Sequence, residues 1–156
     1  MKKIFLFLTM LLLLVIPSLG LAKTEPVIKS DSRTFNPLTG VYNLDGNVYV
    51  DLDNRIIVGD HAQVYMYSMK VDAQGNVKYT DDKIAFTCDK VSVVGKEETA
   101  YVTGNCTFTS GSTIITSNSG NYNWDNKLAS FRGSVVVNGS PAPGEVVYNV
   151  ETEKLQ

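Results

Sequence analysis

Tyr42-Asn43-Leu44-Asp45-Gly46-Asn47-Val48-Tyr49-Val50 sets apolar or small side chains at every second position, with mostly polar residues between them. That is the period of a β-strand with one dry and one wet face. The pattern recurs. Gly46, Gly75, Gly104 and Gly133 are spaced by 29 residues, and three of them open the triplets Gly46-Asn47-Val48, Gly75-Asn76-Val77 and Gly104-Asn105-Cys106. Alternate apolar positions accompany each glycine: Tyr42, Leu44, Val48 and Val50; Val71, Ala73, Val77 and Tyr79; Ala100, Val102, Cys106 and Phe108; Ala129, Phe131, Val135 and Val137. A fixed repeat of strands stacked around one apolar interior follows.

A second strand follows each of the first three glycine strands, at 57–64, 86–93 and 115–122. Its inward phase skips a residue at the polar column Asp60, Asp89 and Asn118. The skip predicts a bulge, and the column reads as side chains that hydrogen-bond a kinked backbone rather than as a metal or catalytic site. The glycine falls on the inward phase and is read as the corner of a folded-over sheet. The connections Asp53-Asn54, 95–98 and 110–112 are too short for crossover helices. An all-β antiparallel jellyroll or roll of repeated hairpins is expected. A stacked solenoid shares the fixed repeat length, but the short connections favour the antiparallel form.

Met1-Lys2-Lys3, an apolar run from Ile4 to Ile16, then Pro17, Gly20 and Ala22 have the three regions of a secretory signal peptide. Cleavage is expected after Ala22, leaving residues 23–156 as a single exported domain. An uncleaved anchor is the competing reading, since the run to Ala22 is close to the roughly 20 residues that cross a bilayer. The whole chain carries a net charge of −2 and no cluster of arginines, so nucleic acid is excluded as a partner on electrostatic grounds. Cys88 and Cys106 flank the turn around Glu97 symmetrically. In an exported protein they form a candidate disulfide, and two small buried thiols fit the same columns.

No nucleophile, base and orienting group can be assembled around His61, the single histidine, beside Asp60. The acidic pairs Asp51 and Asp53, and Asp81 and Asp82, lie in turns that favour aspartate for backbone reasons. A non-enzymatic protein without cofactor or metal is expected. What the sequence supplies instead is a long apolar stripe, which serves equally as a closed core or as a greasy groove.

The ordered segments Ser30-Asp31, 40–50, and 56–60 with Ala62 and Val64, followed by 100–105, Tyr122-Asn123 and 131–135, resemble the OstA-like family of periplasmic lipopolysaccharide-transport bridge proteins. The resemblance covers most of 30–138. It implies a β-jellyroll with a V-shaped cross-section and open ends, which holds the acyl chains of lipopolysaccharide or a related glycolipid on their way to the outer membrane. It further implies association through edge strands with other OstA-like proteins, and head to tail with further copies. The family's lipid-contacting positions are inward apolar residues, which here map onto Val48, Val50, Ile57, Val64, Phe86, Phe108, Ile115, Phe131 and Val135. Three departures stand out: 66–82 is hard to align, the chain is short, and two cysteines interrupt the middle. An uncleaved anchor would assign the chain to the membrane-anchored partner of the same pathway. An exported structural or adhesive protein with a closed core is the reading from a different class.

Overall fold

The computed structural model describes residues 26–156, so the expected signal peptide lies outside the described residues. The first strands are β1 (Val27–Lys29), β2 (Ser32–Asn36), β3 (Val41–Leu52), β4 (Arg55–Tyr65), β5 (Lys70–Asp81) and β6 (Ile84–Val94). They are followed by β7 (Thr99–Ser110), β8 (Thr113–Asn123), β9 (Leu128–Arg132), β10 (Val136–Val137), β11 (Ser140–Pro141), β12 (Val146–Asn149) and β13 (Lys154–Leu155). All 13 belong to one antiparallel sheet whose two ends do not meet. A single 3-10 turn at Gly95–Glu97 is the helical content of the described residues. The hairpin reading holds because the turn chemistry is right. Asp53 and Asn54 take φ of 57° and 69°, the left-handed pair that a two-residue hairpin needs to match strand twist. The hard-to-align segment is ordinary, with β5 pairing in full register between β4 and β6 on both halves.

Each long strand is broken at its centre. Register shifts fall between Asp45 and Val48, Val58 and His61, Gln74 and Val77, Thr87 and Lys90, and Thr103 and Cys106. These breaks line up into a crease that divides the sheet into two leaves. The first leaf holds 32–36, 41–45, 61–65, 70–74, 90–94, 99–103, 119–123, 128–132 and 146–149. The second holds 27–29, 48–52, 55–58, 77–81, 84–87, 106–110, 113–117, 136–137 and 140–141. Folding the leaves together turns the inward residues of both into one core.

The crease corrects the sequence reading of the glycine. It does not take an inward apolar position: the buried residues step from Leu44 to Val48 and from Ala73 to Val77. Gly46, Gly75 and Gly104 adopt φ of 73°, 78° and 80°, a region costly for any other residue. The asparagine after each is also left-handed and has a task. Asn47, Asn76 and Asn105 donate from Nδ2 to Oδ2 of Asp31, Asp60 and Asp89 at 2.8, 2.8 and 2.9 Å. The aspartate column is therefore structural, as expected, though its partner is mainly an asparagine side chain. At Asp31 and Asn118 the backbone N–H also donates, to the Gly46 and Gly133 carbonyls at 2.8 Å.

The last four-residue strand, β12, is not the edge of the sheet. β13 adds to β12 through Tyr148 and Asn149, and the Gln156 N–H donates to the Val147 carbonyl at 2.9 Å. At the other end of the sheet, β2 pairs with β3 on one side only, and all five of its residues are exposed. That edge stays available for strand addition.

Candidate functional site

All nine inward residues assigned to lipid contact are brought together in the core. Val48, Val50, Ile57, Phe86, Phe108, Ile115 and Phe131 are fully buried, and Val64 and Val135 are at most 4% exposed. Alternation carries them there, since the intervening residues of each strand face water. The inner face is apolar along the whole fold, from Leu44 to Tyr148, with Thr99, Ser110 and Ser117 as its buried polar residues.

The leaves are shut. Phe108 of the second leaf lies 5.0 Å from Phe131 and 5.5 Å from Tyr148, ring to ring, and both partners belong to the first leaf. Phe86 completes the cluster at 4.9 Å from Phe108 and 6.1 Å from Phe131. Tyr148 is a core residue that the repeat does not reveal, because it lies beyond the last repeating glycine. The short alternation Val146, Tyr148, Val150 was its signal.

Cys88 and Cys106 are two free, buried thiols rather than a disulfide in this structure. Cys88 donates to the Lys90 carbonyl at 3.2 Å, and Cys106 points its sulfur toward the Asn118 carbonyl at 3.6 Å. Burial pushes the Cys88 thiol up to about 12, with a lesser push from Cys106, and burial pushes Cys106 up to about 11. An unfolded thiol ionises at its ordinary value of 9.0 while the folded ones keep their protons, so the folded state binds more protons above that pH. The thiols' contribution to stability is therefore expected to be full below pH 9 and to fall from pH 9 to about 12. Thermal melts at half-unit steps check this, with Cys88→Ser/Cys106→Ser flattening the decline between pH 9 and 10; a decline unchanged by the double variant refutes the assignment. Counting reactive thiols in denaturant, with and without prior reduction, distinguishes thiols from a disulfide in the purified protein.

The outward face of the first leaf is polar. A shallow groove there is lined by Asn43, Gln63, Asp72, Gln74, Ser92 and Thr103 among others. His61 lies in it, exposed, with Nδ1 against the Asp45 carboxylate rather than Asp60.

A folded antiparallel sheet, creased at a repeating Asp and Gly-Asn unit and apolar throughout its inner face, is the arrangement to be matched with known proteins. The profile of the OstA-like protein family matches residues 26–142. This chain is an OstA-like protein. Among solved structures, its fold is similar to that of LptH from Pseudomonas aeruginosa, described as the LptA-homologous periplasmic component of the conserved lipopolysaccharide transport device. The TM-score is 0.59 over 80% of this chain and 94% of that one, at 13% identity. An identity that low speaks to the fold alone, and the fold is the β-jellyroll expected from the repeat. No curated protein sequence matches this OstA-like protein.

Proposed function

We propose that this OstA-like protein is a non-enzymatic lipid carrier of the periplasm. It acts as a bridge module that passes lipopolysaccharide or a related glycolipid from the inner toward the outer membrane, with the acyl chains held between its leaves. One observation carries the reading: an apolar inner face that continues through every repeat. Family membership and the transport role named for LptH support it. The mature protein is a single domain, residues 23–156, freed of the leader 1–22. Its partners are other OstA-like jellyrolls, or further copies head to tail, added at the exposed edge of β2.

The shut core favours the structural, ligand-free reading as the alternative, and the two separate cleanly. A photo-crosslinking residue placed at Ile57 or Phe131 in cells is expected to capture lipopolysaccharide, whereas one at the adjacent outward Val58 is not. Adducts from neither inward site, or equal adducts from Ile57 and Val58, would leave the closed structural protein standing. The same interior should reject charge. Val50→Asp is expected to abolish capture and lower stability, because a carboxylate there must be desolvated.

A further inference from the structure

The cluster around Phe108 binds the leaves deep in the fold, and a second, different contact joins them at the rim. Arg55 begins β4 on the second leaf, and Trp124 follows β8 on the first. These strands are not neighbours in the sheet, so their contact spans the space between leaves. The guanidinium carbon sits 4.5 Å from the Trp124 ring centroid. Both sides are held from behind. The Trp124 backbone N–H donates to the Glu98 carbonyl at 2.9 Å, and Asp81 of β5 brings Oδ2 to 3.3 Å from Arg55 Nε. Directly inside lie the buried Tyr79, whose hydroxyl donates to Asp81 Oδ2 at 3.4 Å, and Tyr122.

This rim contact is built to part. One cation–π pair is weak beside a cluster of four buried aromatic rings. Arg55 Nε is buried yet has no well-directed hydrogen-bond acceptor, so little directional bonding is lost when the guanidinium swings away. Asp81 keeps the charge paired on its own leaf in either position. Opening here would uncover tyrosines and Trp124, which tolerate a partly wet boundary. We propose that Arg55 and Trp124 form a latch over a lateral seam, and that the alkyl chains of an amphiphile enter and leave the interior through it. The inference rests on the carrier reading and names where the carrier opens.

The test uses the full mature chain, with purified lipopolysaccharide as the probe. Arg55→Cys and Trp124→Cys, in a Cys88→Ser/Cys106→Ser background, are joined by a short bifunctional thiol reagent that reduction cleaves. Uptake, read as adducts to a photo-crosslinker at Phe131, is expected to stop in the joined protein and return on reduction. Arg55→Gln is expected to load about fivefold faster than wild type, the shift from losing one cation–π contact. Trp124 is the sole tryptophan of the chain, so wild-type emission reports the latch directly and should change as lipopolysaccharide loads. Equal uptake by joined and cleaved protein, or unchanged Trp124 emission during loading, overturns the latch while leaving the carrier intact. Absence of uptake by the wild type overturns the carrier reading and the latch with it.

Discussion

Replacing Phe108 with alanine is expected to destabilise the protein by about 4 kcal/mol, near the upper range for removing a buried aromatic ring. The position explains the size. Phe108 is fully buried and meets Phe86 on its own leaf and Phe131 and Tyr148 on the other, so its loss leaves a cavity between leaves that neighbours on two rigid sheets close poorly. Tyr148 also donates to Ser110 Oγ at 3.4 Å across the same gap, which limits how far it can move to fill the space. Phe108→Leu keeps most of the volume and should cost less than half as much. Urea unfolding of both variants provides the measurement. A Phe108→Ala loss below about 1 kcal/mol, typical of a side chain with room around it, would mean that the leaves are not in contact there.

Gly75→Val comes next, with an expected loss on the order of 3 kcal/mol from backbone strain and overpacking together. At φ of 78° a β-branched residue is strained before any contact is counted, and a Cβ there would lie 2.6 Å from Asp60 Oδ2. Relief would need the carboxylate to withdraw, which breaks its hydrogen bond with Asn76. Asn76→Ser provides the contrast. Ser134 holds the equivalent place in the last crease at φ of 51°, so serine is compatible with the backbone, and the loss is one exposed hydrogen bond, about 1 kcal/mol. Equal denaturation midpoints for Gly75→Val and Asn76→Ser would dismiss this account of the crease.

The inward columns were readable because a strand's period of two is written locally: Val77 and Tyr79, or Phe86 and Cys88, declare their face within three residues. The crease was only half readable. The column Asp60, Asp89 and Asn118 announced a bulge, but the bond from Asn76 to Asp60 joins residues 16 apart that meet only once β4 and β5 are in register. Strict alternation then placed Gly75 inward, since the pattern does not show two residues opposing one. Contacts between leaves were not readable at all. The repeat says which strands are neighbours in the sheet, whereas the meeting of Phe108 with Phe131, or Arg55 with Trp124, depends on how twist carries one leaf across the other. β13 escaped notice because two residues, Lys154 and Leu155, are too few to display a period.

The stitch at the crease is shared between successive units: the aspartate of one turn is clasped by the glycine and asparagine half a turn later, and the next aspartate arrives 29 residues on. A complete unit brings its own clasp and needs no new chemistry from its neighbours, so the roll is a ruler with fixed graduations. Each adds two strands, roughly 10 Å of length at the spacing of paired strands. Gaining or losing a unit changes how far the interior reaches in steps of that size, while Asp31 at one end and Ser134 at the other remain as terminators.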